Sequence, residues 1–175
     1  MMAGFHKNLV SALDEFVHRE VGLGSVSIQV CSASELDEMQ LGYSRHPNGH
    51  DLTGSEEGDW LSSWVVFATD GSCGDPFFVD QGQEGLPVFT AMIGMGTWSA
   101  ICVSPKLSAF LKSLSHLGHV SSEGGGRIFP SEKTITDEAE LLALKDELCR
   151  LNEDDEFWTE FIEYHIDWVE ESQFD

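Results

Sequence analysis

The run Trp64-Val65-Val66-Phe67-Ala68-Thr69 constrains the fold more than any other part of the chain. It is almost unbrokenly apolar and rich in aromatic and β-branched residues, which predicts a central strand buried on both faces. Such a strand needs neighbours, and the following sequence supplies them. Asp70-Gly71-Ser72-Cys73-Gly74-Asp75-Pro76 carries turn chemistry, and Phe77-Phe78-Val79-Asp80 then makes a second strand that pairs with the first as a hairpin. Residues 81–85 form another turn. Pro87-Val88-Phe89-Thr90-Ala91-Met92 gives a third strand, which Gly94 and Gly96 break before a fourth run over residues 98–103.

Helical patterns flank this block. Phe5, Leu9, Ala12, Leu13, Phe16 and Val17 recur at three- and four-residue spacing, predicting an amphipathic helix that ends near Gly22 and Gly24. A short extended run follows over residues 26–30, residues 34–41 carry one or two helical turns, and residues 43–58 read as a polar loop. Ser104-Pro105 predicts an N-cap with proline in the first helical position, opening a helix with Leu107, Phe110, Leu111 and Leu114 on one face and fraying near Gly118. Residues 121–126 are a flexible connection, and Arg127-Ile128-Phe129 adds an edge strand. Two further helices are predicted, over residues 137–151 and 154–169. Phe157, Trp158, Phe161, Ile162, His165, Trp168 and Val169 give the second a wide apolar stripe that must cover something.

At 175 residues the chain predicts one α+β domain with a single core. Charge sets its class of partner. Nine Lys plus Arg stand against 31 Asp plus Glu, a formal −22, and residues 131–175 alone carry −13. No Lys/Arg cluster is visible, so direct binding to nucleic acid or anionic membrane is disfavoured. A basic protein is the partner that an acidic surface steers toward itself. The N-terminal residues lack the apolar core of a signal peptide and no stretch is long and apolar enough to span a bilayer, which predicts a cytoplasmic protein. Cys31, Cys73, Cys102 and Cys149 are scattered and read as structural thiols.

Catalytic patterns are weak. Asp70, Asp75 and Asp80 bracket two strand ends and could hold a divalent cation for a metal-dependent hydrolase, but their spacing matches no calcium loop and Asp beside Gly or Pro is ordinary turn chemistry. His46 with His50, and His116 with His119, lack the partners of a metal site. There is no G-x-S-x-G elbow and no phosphate-binding loop, so the sequence points to no catalytic residue, metal or cofactor. Of the five tryptophans most belong in the core. Trp60 is the exception: it closes an acidic, glycine-rich loop, and Glu56, Glu57, Asp59 and Trp60 are the expected partner contacts, together with exposed acids of the last helix.

Gly58-Asp59-Trp60, Trp64 to Ala68 and Gly74-Asp75-Pro76-Phe77-Phe78-Val79-Asp80, continued by Val88 to Trp98 and Ser104-Pro105-Lys106-Leu107-Ser108-Ala109-Phe110-Leu111, resemble the SUKH superfamily. That group, also called Smi/Knr-like, includes fungal cell-wall regulators and bacterial toxin-immunity proteins. The likeness covers about a third of the chain. The family's usual L-P-x-x-[YF] signal after the first helix is missing, and the acidic C-terminal helices match no motif of it. The resemblance implies a curved, largely antiparallel sheet covered by helices, without catalytic machinery, in which Trp64, Gly74, Asp75, Pro76, Phe77 and Asp80 are structural markers. It also implies an immunity-type protein that neutralises a toxin by direct binding. A regulatory scaffold that recruits signalling partners is the alternative from the same family.

Overall fold

Where the apolar pattern alternates between two faces, the chain forms a sheet with a core on each side. The computed structural model describes residues 4–153 and 156–173. A helix α1 (Lys7–Glu15) leads into strands β1 (Glu20–Gly22) and β2 (Ser27–Val30), a 3₁₀ turn (Ala33–Glu35) and a single helical turn α2 (Leu36–Met39). Two-residue strands β3 (Thr53–Gly54) and β4 (Trp60–Leu61) pair in parallel. Then come β5 (Trp64–Asp70), β6 (Pro76–Asp80), β7 (Val88–Gly94) and β8 (Thr97–Ser104), followed by α3 (Leu107–Val120), α4 (Glu138–Asn152) and α5 (Glu156–Glu171). The main sheet runs β1-β2-β5-β6-β7-β8, with every neighbouring pair antiparallel. It is a meander interrupted once, by residues 31–63.

Strand periodicity divides the side chains between two apolar clusters. Val65, Phe67, Phe77 and Val79 enter the larger cluster with Leu9 and Leu13 of α1, Phe110 and Leu114 of α3, Leu148 of α4 and Trp158 of α5. Val66 and Phe78 enter a smaller one on the opposite face with Trp60 and Ala91, flanked by Tyr43, Trp64, Phe89 and Trp98. The predicted two-sided burial of the central strand is thus observed. The stripe on α5 covers the sheet: Trp158 is fully buried and its Nε1 donates to the Val103 carbonyl at 2.9 Å.

Several local expectations are corrected. Glu20–Gly22 is a strand, because pairing with β2 organises three residues too few to show a pattern of their own. Ser104 is the last residue of β8 and does not cap α3; Lys106 holds the N-cap position, and the Ser104 hydroxyl donates to the Lys106 carbonyl at 2.9 Å. The helix continues past Gly118 to Val120. A Cβ at position 118 would lie 2.7 Å from His18 Nδ1, so this glycine serves close approach and not termination. Arg127-Ile128-Phe129 forms no strand: the Arg127 N–H donates to Gly24 O at 3.0 Å, and that carbonyl is the segment's anchor to the β1–β2 turn. Asp154, the predicted start of the last helix, lies outside the described residues.

Candidate functional site

The loop that carries the expected contacts is built from short, local hydrogen bonds. Asp59 Oδ2 accepts from the Glu56 N–H at 2.9 Å, and the Asp59 N–H donates to the Glu56 carbonyl at 3.1 Å. Asp59 is therefore occupied in shaping the turn, as short acidic side chains often are, while Glu56 and Glu57 stay exposed. Trp60 is placed differently from the expectation. It is 1% exposed, its ring lies 5.1 Å from Tyr43, 4.7 Å from Phe78 and 5.1 Å from Trp98 between centroids, and its Nε1 donates to the Trp64 carbonyl at 3.3 Å. The indole is the centre of the smaller cluster and is not available to a partner. The sheet needs its second face covered, and that demand outweighs the polarity of the preceding loop.

What the loop meets was not visible in the sequence. Gly58 sits at φ +90, and its carbonyl accepts from the Trp98 N–H of β8 at 2.8 Å. A Cβ at position 58 would lie 2.7 Å from Thr97 Cβ, so only glycine lets the two segments close. Glu56 and Glu57 are thereby set beside the β7–β8 hairpin. That hairpin belongs to a 21-residue stretch, 85–105, with no Asp, Glu, Lys, Arg or His in a chain that otherwise carries 40 charged residues. Its far half extends beyond the core, with Met92 64% and Ile93 62% exposed and Met95 fully exposed at the turn. An apolar patch bordered by acids has the layout of an interface, with a dry centre and a polar rim.

The remaining candidates do not converge. Asp70 Oδ1 accepts from the Ser72 and Cys73 N–H groups, and Asp80 accepts from Gly82 N and Gln83 Nε2, so both cap turns. Asp75 precedes β6 and Asp80 ends it, about 16 Å away along an extended strand. Among the described residues no three His, Cys, Asp or Glu side chains are grouped to hold a metal ion. Of the residues on which the sequence resemblance rests, Pro76 and Phe77 are buried in β6, Trp64 is half-buried in β5, and Gly74 takes φ +78 in the exposed turn between them. The Cys31 thiol is pushed up to about 12, by burial first and then by Glu35. Cys73 is pushed up to about 11, again chiefly by burial, which outweighs a lowering bond with the Asp75 main chain, while the Asp75 and Asp70 carboxylates raise it further. Neither is a thiolate near neutral pH. No described helix is long and apolar enough to cross a membrane.

His165, on the apolar stripe of the last helix, is fully buried between Ser25 Oγ, 2.6 Å from Nδ1, and the Ile135 carbonyl, 2.9 Å from Nε2. These partners fit a neutral ring that donates from Nε2 and accepts at Nδ1. Burial pushes its pKa below the ordinary value, outweighing the bond to Ile135 and the negative charge of Glu123. The unfolded chain takes up this proton near pH 6.5, about the free-histidine value, and the folded chain only at lower pH. The stability contributed by the neutral ring is therefore complete above that value and falls as pH drops through it, by at most about 1.4 kcal/mol per pH unit. The difference in urea midpoint between the wild type and His165→Gln is expected to shrink from about pH 7.5 to about pH 5; a constant difference would mean that folding does not shift the titration of the ring.

Compared with protein-family models, with curated proteins and with solved structures, the chain matches none.

Proposed function

We propose that the chain is a non-enzymatic protein-binding domain, of the immunity type, that neutralises a basic, nuclease-like toxin by direct contact. The observation that carries this reading is the pairing of Glu56 and Glu57 with the charge-free, partly exposed hairpin, fixed by the Gly58–Trp98 hydrogen bond. The charge of −22 favours a cationic partner over nucleic acid, because it attracts the one and repels the other at a distance. The SUKH resemblance is part of the same reading, and the antiparallel sheet with helices packed on one face is compatible with it. Exposed acids of α5, among them Glu163 and Asp167, extend the negative surface that would draw such a partner in.

The test is capture of a partner from the native organism, combined with inspection of neighbouring genes for a secreted toxin. One tight, basic, cognate partner is the expected result. Several weak partners would favour a regulatory scaffold, and no partner with no toxin gene would remove the immunity reading. With a cognate partner in hand, the double change Glu56→Gln and Glu57→Gln is expected to slow association about three- to tenfold at low salt and to flatten the salt dependence, with little change in dissociation. Stopped-flow association over a salt series reads this directly, and an unchanged slope would take the two carboxylates out of the contact.

A further inference from the structure

We propose that the partner docks by adding an extended strand to the outer edge of β8, with a Lys or Arg of that strand meeting Glu56 and Glu57. This rests on the protein-binding function proposed above and specifies how the contact is made.

β8 ends the six-stranded sheet and has β7 as its neighbour on one side. Residues Met95 and Gly96 make a two-residue turn with φ +53 and +83, between the paired residues Gly94 and Thr97. Antiparallel pairs alternate between bonded and non-bonded types. The register Gly94↔Thr97, Ile93↔Trp98, Met92↔Ser99, Ala91↔Ala100 therefore turns the N–H and C=O groups of Trp98 and Ala100 away from β7. The Trp98 N–H is satisfied by Gly58. Among the described residues the outward N–H and C=O of Ala100 have no backbone partner.

Sheet edges are normally protected by Lys, Pro or inward charge. Residues 97–104 contain none of these. At Ala100 the edge is thus left open, and among the described residues Glu56 and Glu57 belong to the turn that is bonded to the same edge at Trp98. That arrangement selects among occupants. A second copy would bring another −22 and a second pair of glutamates toward the same edge, whereas a neutral strand with a cationic end pairs with the backbone of Ala100 and neutralises the rim. The exposed Met92, Ile93 and Ile101 on the two faces of the hairpin provide apolar area for alternate side chains of such a strand.

The probe is a capped peptide, Lys-Thr-Val-Thr-Val-Lys, with two controls: the same peptide with Glu for Lys, and the Lys peptide N-methylated at alternate residues to block edge pairing. The Lys peptide is expected to bind in a salt-sensitive manner and to slow hydrogen exchange at the Ala100 amide. N-methylation is expected to weaken binding about tenfold, as is Ala100→Pro, which removes an outward donor without touching the β7 ladder. The methylated peptide needs no change to the protein, so a poorly folded proline variant would not block the test. Equal binding of methylated and unmethylated peptides, or binding without protection at Ala100, would overturn strand addition and leave the electrostatic reading to the partner capture. No binding of the Lys peptide overturns it as well. Protection of Ala100 in the protein alone with a doubled mass would assign the edge to a second copy, and co-sedimentation with phosphatidylcholine vesicles abolished by Met95→Ser would assign the hairpin to lipid.

Discussion

Trp60→Ala is expected to lower the free energy of unfolding by about 4 kcal/mol, a loss of roughly 10 °C in Tm for a chain of this size. The indole is 1% exposed and touches Tyr43, Trp64, Phe78 and Trp98, so its removal leaves a cavity lined by rings that cannot collapse onto one another without moving the strands beneath them. Trp60→Phe keeps part of the ring volume, loses the 3.3 Å bond to the Trp64 carbonyl, and is expected to cost about half as much. Equilibrium urea unfolding checks both. A stability change below about 1 kcal/mol for the alanine variant would mean the ring is solvent-exposed and return it to the contact surface.

The second large effect is at Gln40. β2 pairs with β5 as far as Ala68, so Val66 of the central strand projects past its neighbour with its main chain unpaired on that side. The Gln40 side chain takes the missing strand's place. Its Oε1 accepts from the Val66 N–H at 3.0 Å, and its Nε2 donates to the Val66 carbonyl at 2.8 Å and the Leu36 carbonyl at 2.7 Å. Gln40→Ala leaves two buried backbone groups without partners and is expected to cost about 3 kcal/mol. Gln40→Glu keeps the acceptor but sets a carboxylate oxygen against the Val66 carbonyl, so it should be no better than alanine above the carboxylate pKa and should recover stability once protonated in acid. Urea midpoints of the three proteins at pH 7 and pH 4 test this, with equal midpoints for wild type and alanine variant excluding the clamp.

Gln40 also illustrates why parts of the fold were not legible. Nothing in residues 34–41 marks a glutamine that bonds the main chain of a β-strand 26 residues away, because its role depends on where β2 happens to stop. Trp60 failed for a related reason. Its flanking Glu56, Glu57 and Asp59 suggested an exposed loop tip, yet the apolar side chains of Val66 and Phe78 on the second face of the sheet need a cover, and residues 36–63 are the segment that reaches them. Ser104-Pro105 was a good local match to a helix start, but β8 continues through Ser104 because Val88 across the ladder holds it. The charge-free stretch 85–105 is different in kind, since a count of charges along the chain is enough to find it.

The order and type of most elements were set by the sequence itself, since the alternation of Val65, Val66, Phe67 and the three- and four-residue spacing on α1, α3 and α5 are local properties that hold in any context with a core to bury. Net charge was likewise a matter of composition. Tertiary structure alone decided that Trp60 faces inward, that Gln40 completes a strand and that the acidic turn sits on the edge of β8. Each depends on contacts between residues far apart in the chain, such as Gly58 with Trp98, and such contacts form only after the sheet has fixed which backbone edges and which faces are left to be covered.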